Sequence, residues 1–493
     1  MRLQDLSELL LVSRLAGDSQ TQITGIQTDS RKVQPGDLFI CVPGLVFDGH
    51  DFAADAAANG AAALVVERDV AVGLPKLFVK DCRYAMAVIA SHFYGYPGRE
   101  MRLIGVTGTN GKTTTTYLIE QILRQNGFRT GLMGTIRMKI GNHFYNADRT
   151  TQDVVELQQN LRLMADEKTD YCVMEVSSHA LELGRVKGLR YRSAVFTNLT
   201  QDHLDYHLTM ENYKAAKGLL FSRLGNEFEP DLARACYAVL NADDPASAEY
   251  ARMTSAQTVT YGVDNDADVK ASNVKITANG TSFYVSTFAG TAEMNIKLIG
   301  KFNVYNCLAA FAACLAERIP FAQIKHSLET AQNVAGRMEP VQAGQDFLVV
   351  VDYAHTPDGL QNALHAIRQF AAGRIITVFG CGGDRDRTKR PIMGKIAGQM
   401  SDYVIVTSDN PRTEEPLQIL RDIAPGIEAS GIGKDCCEMI VSRKEAIRQA
   451  VRLASKGDVV LIAGKGHETY QLINGVAYEF DDRLAAIEAI RSL

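Results

Sequence analysis

From Leu103 to Asn126 a short apolar run, a glycine-rich loop and an amphipathic stretch follow one another without a gap. This succession limits the possible folds more than any other part of the chain. Leu103 to Val106 reads as a strand. Gly108-Thr-Asn-Gly-Lys-Thr113 then opens a helix running from Thr113 to about Asn126, with Tyr117, Leu118, Ile122 and Leu123 on its apolar side and Gly127 as its stop. A loop of this kind can wrap its N–H groups around phosphate oxygens while the helix N-terminus adds partial positive charge. Lys112 can reach the outer phosphates, and the Thr113 hydroxyl can join a Mg²⁺ shell. The strict phosphate-loop spacing puts its first glycine at position 106, where this chain has Val106 and carries Gly105 one residue early, so the loop is a variant. A glycine-rich turn that binds nothing is the alternative reading of Gly-Lys-Thr taken alone.

The same alternation runs along the whole chain. Apolar runs at Leu38 to Val42, Ala62 to Val66, Tyr171 to Val176, Ala194 to Phe196, Phe347 to Val351, Ile375 to Phe379, Tyr403 to Val406 and Val459 to Ala463 are separated by helical patterns, which predicts α/β units with mainly parallel sheets. At 493 residues the chain has room for about three domains. The turn Tyr96-Pro97-Gly98 and the break at Gly336-Arg337 divide it into 1–98, 99–336 and 337–493. Lys plus Arg total 52 against 57 Asp plus Glu. A net charge of −5 supplies no bulk attraction for a nucleic-acid backbone, so any anion must be held locally. Nine cysteines without a metal-type CxxC pair read as reduced thiols. No stretch reaches the roughly 18 apolar residues of a membrane span. The expectation is a cytoplasmic protein that neither enters a membrane nor binds nucleic acid, and that works as a monomer.

Polar clusters follow the predicted strands directly, where ligands bind in open α/β sheets. Glu175 and Ser177 end one strand, and Asp202 and His203 follow another. A carboxylate such as Glu175 can place a metal beside a nucleotide. Lys214 and Lys217 lie in a helical stretch from Glu211, and composition alone reads them as lysines on an exposed helix face.

Together these segments resemble the Mur ligase family. The likeness is carried in order by Gly108-Thr-Asn-Gly-Lys-Thr-Thr114, Met174-Glu-Val-Ser-Ser-His179, Phe196-Thr-Asn-Leu199, Asp202-His-Leu-Asp-Tyr-His207, Val351-Asp-Tyr-Ala-His-Thr-Pro357, Gly380-Cys-Gly-Gly-Asp-Arg-Asp386, Asp409-Asn-Pro-Arg412 and Gly464-Lys-Gly-His-Glu468. The resemblance implies a central ATPase-like parallel-sheet domain, flanked by an N-terminal UDP-binding α/β domain and a C-terminal Rossmann-like domain. It also implies an ATP-dependent ligase of peptidoglycan precursor synthesis, joining meso-diaminopimelate to the D-glutamate carboxylate of UDP-MurNAc-L-Ala-D-Glu.

By the same resemblance Gly108, Thr109, Asn110, Gly111, Lys112, Thr113, Thr114, Asn303, Asn306, Arg337, Asp352 and His355 bind ATP. Thr113, Glu175, His203 and a carbamylated Lys217 hold Mg²⁺, and Lys112, Lys217, His203 and Glu175 are the catalytic set. Ser30, Thr150, Thr151, Ser177 and Arg185 face the UDP-linked substrate, with the loop Pro43–His50 nearby; for Asp29 and Ser30 a simple turn cap is an equal reading. Leu183 stands two residues before Arg185, where some members carry Gln. Arg390, Asp409, Asn410, Arg412, Gly464 and Glu468 take the diaminopimelate.

The required chemistry stands on its own. An amine does not attack a carboxylate until one carboxylate oxygen becomes a leaving group, and phosphorylation supplies that. Lys112, Mg²⁺ and loop N–H groups can stabilise the charge that gathers on the transferring phosphoryl group. Diaminopimelate differs from lysine by a second carboxylate, onto which the Arg412 guanidinium can fork. A buried Arg412 left unpaired by lysine would cost about 2–5 kcal/mol. Without the family, Arg412 reads equally well as a surface arginine after a turn. The same ligation with L-lysine, a folylpolyglutamate-synthetase-like ligase and a nucleotide-dependent switch remain the competing readings.

Overall fold

The computed structural model describes residues 1–493 apart from 45–46, 147–148, 230 and 232–233. Its contacts gather into two compact units, one of residues 1–105, 128–192 and 231–236, the other of 106–127, 193–230 and 237–493.

In the first unit a five-stranded sheet has the order Ser13–Ala16, Lys76–Val79, Ala63–Val66, Asp37–Ile40, Gly25–Gln27. Its strands are parallel except Ser13–Ala16 at the edge. The helix Cys82–Phe93 covers one face, and its start is fixed by Asp81, whose side chain accepts from the N–H groups of Arg83 and Tyr84. Further along the unit, Tyr171–Glu175 pairs in parallel with Thr130–Met133.

In the second unit Tyr191–Phe196, Tyr237–Asn241 and Gln257–Gly262 are parallel neighbours. The helix Lys301–Ala316, buried along nearly its whole length, packs on these strands and against the helix Lys112–Gln125. Residues 337–493 build a six-stranded sheet in the order Glu339–Val341, Leu348–Asp352, Val459–Ala463, Ile375–Phe379, Tyr403–Val406, Cys437–Met439. All but the first strand run parallel. Their carboxyl ends therefore open on one side, and Asp352, Gly380, Asp409 and Gly464 all follow such ends.

The expected strands are present, each within a few residues of its predicted bounds. The antiparallel ribbon Val269–Thr277, Gly280–Thr287, Gly290–Ile296 and the hairpins Arg137–Ile140/His143–Asn146 and Tyr470–Ile473/Val476–Glu479 were not expected. Their turns use Gly141-Asn142, Asn279-Gly280, Ala289-Gly290 and Asn474-Gly475, and positive φ at each of these glycines and at Asn474 supplies the tight reversal. Among the described residues no helix is long and apolar enough to cross a membrane.

One fully buried ion pair ties the last helix to this sheet. Arg443 Nε and Nη2 each donate to Asp482 at 2.7 Å, and its nitrogens also reach Ser408 O, just after the strand Tyr403–Val406, and Ala463 O, at the end of the strand Val459–Ala463. Removing one partner strands the other charge in an apolar interior. Arg443→Met should cost about 3–5 kcal/mol in urea unfolding, and Arg443→Met/Asp482→Asn should cost less than the two single changes added together. Additive losses would mean that the two groups do not act as a pair.

Candidate functional site

The strand Arg102–Thr107 is followed by a loop in which two glycines are forced. Gly108 has φ +148° and Gly111 φ +86°. A Cβ on Gly108 would lie 1.8 Å from Thr197 Oγ1, and one on Gly111 2.3 Å from Asn306 Oδ1. The loop is pinned from outside as well: Thr109 N donates to Asn198 O (2.8 Å), and Asn110 N to Asn198 Oδ1 (2.9 Å). The helix Lys112–Gln125 starts with no side-chain cap, so its first N–H groups and its dipole remain available to an anion. Lys112 Nζ lies against the loop's own carbonyls, at 2.9 Å from Gly108 O and 2.8 Å from Thr109 O.

A pocket of about 370 Å³ opens beside this loop, lined by Asn110, Gly111, Thr114, Asn306, Arg337 and Asp352 among others. Arg337 Nη2 reaches Thr113 Oγ1 at 3.1 Å, and its guanidinium lies 4.6 Å over the Tyr353 ring. Asn303 and Asn306 are buried and bonded to each other at 3.0 Å. Asp352 accepts from Met338 N at 2.7 Å, and burial raises its carboxyl above the usual range against the pull of Arg337. Burial, helped by Lys389, pushes the His355 ring down to about 4, so near pH 7 it is neutral and can offer a hydrogen bond but no charge. Sequence reasoning missed Asp358, which accepts from Asn110 Nδ2 at 2.7 Å, and Asp243 and Tyr305, bonded to each other at 2.7 Å in the same pocket wall. Tyr305 stands between the predicted Asn303 and Asn306, whereas the placement of Asp243 and Asp358 depends on tertiary packing.

Lys217 overturns the reading of its helix as an exposed lysine face. It is 1% exposed, donates to Gly108 O at 2.9 Å and lies 4.2 Å over the Tyr213 ring. Burial, with Lys112 nearby, pulls its ammonium well below the ordinary lysine range. Lys214, three residues earlier, is the surface residue of the two and pairs with Glu249 at 2.6 Å. The sequence did contain the signal, because Tyr213, Lys217, Leu220 and Phe221 share one helical face and all are buried. His203 sits in a left-handed turn (φ +55°) beside Asp202, 3.4 Å between Nε2 and Oδ2. Burial pushes the Asp202 carboxyl up, but His203, His355 and Lys389 outweigh it and leave it below the usual range.

In the first unit Glu175 is buried, with its two oxygens taken by Thr135 N (2.8 Å) and Thr135 Oγ1 (3.0 Å). Thr135 Oγ1 also meets Thr150 Oγ1 at 3.1 Å. Thr151 Oγ1 donates to Glu175 O and accepts from Ser177 N, while Arg185 Nη1 donates to Thr151 O (3.0 Å) and Arg185 pairs with Asp153 (2.7 Å). Thr150, Thr151, Glu175, Ser177 and Arg185 therefore form one cluster. Leu183 ends the short helix Ser178–Glu182 and adds no polar group. Ser30 is buried at the start of a 3₁₀ turn that Asp29 caps, with its carbonyl accepting from Asn59 Nδ2 at 2.9 Å. Of the loop 43–50, residues 45 and 46 lie outside the described residues. The rest is braced by His50, which bonds Asp48 through Nδ1 (2.6 Å) and accepts from Glu67 N at Nε2 (2.9 Å).

At the carboxyl ends of the C-terminal sheet, Asp409, Asn410, Gly464 and Glu468 come together. Asn410 Nδ2 donates to Glu468 Oε2 at 2.8 Å, and a Cβ on Gly464 would lie 2.6 Å from Asp409 Oδ2, a buried oxygen with no partner. Two arginines differ from expectation. Arg390 is fully buried, its two terminal nitrogens held by Glu414 (2.9 Å) and Asp422 (2.7 Å) while Nε has no partner among the described residues. Arg412 is half-buried rather than buried; it sits at φ +53°, and its Nη1 donates to Gly383 O at 2.7 Å. The penalty for leaving Arg412 unmatched is accordingly smaller than for a fully desolvated charge.

This order of motifs and sheets recurs in known proteins. Family models described as Mur ligase family catalytic domain, Mur ligase middle domain, and Mur ligase glutamate ligase domain match residues 22–94, 106–314 and 336–466. A protein of Bacillus licheniformis named UDP-N-acetylmuramoyl-L-alanyl-D-glutamate–2,6-diaminopimelate ligase is 51% identical over 99% of both chains. One of the same name from Geobacillus kaustophilus is 52% identical over 98% of this chain and 99% of its own. A solved structure with that name superposes with a TM-score of 0.68 at 34% identity, covering 100% of this chain and 99% of the other. With family models matched along most of the chain and full-length likeness of this degree, the chain belongs to the Mur ligase family.

Proposed function

We propose that this ligase joins an amine of meso-diaminopimelate to the D-glutamate carboxylate of UDP-MurNAc-L-Ala-D-Glu, consuming ATP through an acyl phosphate. The observation that carries the reading is the likeness, near 50% identity and almost end to end, to relatives that bear that name. Arg412, Asp409 and Glu468 at the carboxyl ends of one sheet supply what a seven-carbon diamino diacid requires. A guanidinium can meet its far carboxylate, and carboxylates can meet an ammonium.

The triphosphate would lie on the Gly108–Gly111 N–H groups and the uncapped helix end, drawing Lys112 off the loop carbonyls and meeting Arg337 beside Thr113. These groups would offset the charge that collects as the γ-phosphoryl group passes to the substrate carboxylate. The amine would then attack the acyl phosphate, with phosphate as the leaving group. His355, neutral near pH 7, would give a hydrogen bond without adding charge.

Among the described residues no group of three His, Cys, Asp or Glu could hold a metal alone. That suits Mg²⁺, which usually takes one or two protein oxygens together with substrate phosphates. Thr113, His203 and Lys217 would hold it, Lys217 through the oxygens of a carbamate, and Glu175 is proposed on resemblance. Mg²⁺ would neutralise phosphate charge. The fit to Lys217 rests on its burial, because only a neutral amine attacks CO₂ and a desolvated lysine loses its proton readily. We further propose that the protein works in the cytoplasm, where its soluble, charged substrates are available, as a monomer and without membrane or nucleic-acid partners.

The deciding assay supplies ATP, Mg²⁺, the UDP-linked dipeptide and either diaminopimelate or lysine, and follows the new amide by mass spectrometry. Diaminopimelate should be the better substrate. Arg412→Ala should raise its KM about 10- to 100-fold, the loss of a charged hydrogen bond, while the KM for ATP stays put. Better use of lysine, or phosphate release that ignores both cosubstrates, defeats the reading. Lys217 should carry the mass of one added CO₂ in intact protein, and Lys217→Arg should lower kcat about 100-fold or more. An unmodified lysine in fully active protein removes the carbamate.

A further inference from the structure

Two segments leave the C-terminal sheet side by side, Thr407–Arg412 after the strand Tyr403–Val406 and Gly464–Glu468 after Val459–Ala463. Between them Lys465 is completely buried. Its Nζ donates to Asn410 Oδ1 at 3.0 Å and to Glu468 Oε2 at 2.8 Å, and Asn410 Nδ2 donates to that same Oε2 at 2.8 Å. Asn410 Oδ1 also accepts from Leu472 N at 2.9 Å. With two donors on its oxygen, Asn410 must turn its amide nitrogen toward Glu468, so Glu468 Oε2 is fixed from both sides. Its other oxygen takes no part in the triangle, and the Glu468 side chain keeps 16% of its surface exposed.

The charges around Glu468 give Lys465 a distinct part. The Asp409 carboxylate, the Arg443 guanidinium, Arg412 and the phenols of Tyr353 and Tyr470 surround this corner. Arg443 is bonded to Asp482, and Arg412 to Gly383 O. Lys465 is the cation in direct contact with Glu468, buried where an unpaired ammonium would be strongly disfavoured. No step of the ligation uses it.

We propose that Lys465 is a positioning residue for amino-acid selection: clamped with Asn410 onto one oxygen of Glu468, it holds that carboxylate so that its other oxygen reads the distal ammonium of the incoming amino acid. The inference rests on the diamino diacid reading above and adds the group that sets its amine preference. The triangle engages Oε2 and leaves Oε1 outside it, on a side chain that keeps 16% of its surface exposed. Freed of Lys465, the carboxylate would turn among rotamers, and the distinction between a diacid with and without the second amine would fade.

The test compares diaminopimelate with 2-aminopimelate, the same diacid lacking the distal amine. Wild-type protein is assayed first, so that failure to ligate diaminopimelate would sink the proposed function before any variant is made. With wild type active, Lys465→Met should raise the KM for diaminopimelate about tenfold or more, move the KM for 2-aminopimelate less than about threefold and leave that for ATP unchanged. Lys465→Arg, which keeps the cation, should retain most of the preference. Glu468→Gln should lose it, and adding Lys465→Met to Glu468→Gln should lower it no further. Equal weakening of both amino acids and ATP by Lys465→Met would reduce Lys465 to a packing residue. Wild-type preference in Glu468→Gln would overturn the proposal even if Lys465→Met failed to fold.

Discussion

The loop from Gly108 to Gly111 has no spare volume, and the packing around it in the second unit depends on that crowding. Thr197 Oγ1 and Asn306 Oδ1 stand where side chains on the two glycines would have to go. The first belongs to the segment leaving the strand Tyr191–Phe196, the second to the buried helix Lys301–Ala316, so the loop is shaped by two neighbours at once. Asn198 holds its backbone from a third direction. A loop fixed in this way has already lost its conformational freedom before a phosphate arrives, and little ordering cost remains for binding. The same crowding turns the Gly108 carbonyl toward Lys217 and so connects the phosphate cradle to the lysine beneath it.

The C-terminal sheet solves a different problem, because it buries several charges. Arg443 is matched by Asp482, Arg390 by Glu414 and Asp422, and Lys465 by Glu468 and Asn410. Replacing such pairs by apolar residues is often neutral for stability, so stability alone does not explain them. Their positions are more informative. Lys465 links the segments after two strands of the sheet, Arg390 holds Glu414 and the helix Pro416–Ser430, and Arg443 ties the last helix to Ala463 O. What remains for a ligand is the unpartnered Asp409 Oδ2 and the outer faces of Glu468 and Arg412. Selectivity in such a site comes from which charges the protein has left unmatched.

Much of this was legible in the residue order. Strand ends followed by polar clusters marked the Gly108 loop, Glu175, Asp202–His203, Asp409–Arg412 and Gly464–Glu468, because parallel sheets collect their loops on one side. The antiparallel ribbon from Val269 to Ile296 was readable from Asn279-Gly280 but was overlooked, since the alternation of strands with helices dominated the pattern. Arg390 and Arg412 show where local reading stops. Whether an arginine faces a ligand or a carboxylate of its own chain depends on Glu414 and Asp422, which are 24 and 32 residues from Arg390 in sequence. Pairings of that span leave no periodic trace.

Lys112 and Lys217 put the same side chain to opposite uses at one loop. Both ammonium groups touch Gly108 O at 2.9 Å, so the hydrogen bond does not separate them. Burial does. Lys112 is half-exposed and can keep its charge in contact with water, which a phosphate-binding cation needs. Lys217 is 1% exposed, and both desolvation and the neighbouring Lys112 charge work against its protonated form. The Lys112 charge thereby adds to the burial that pulls the Lys217 ammonium below its ordinary range. A carbamate formed there would be an anion within reach of Lys112, so the repulsion that disfavours two ammonium groups would become an attraction. The loop geometry thus disfavours Lys217 as a cation and suits it as a carbamate.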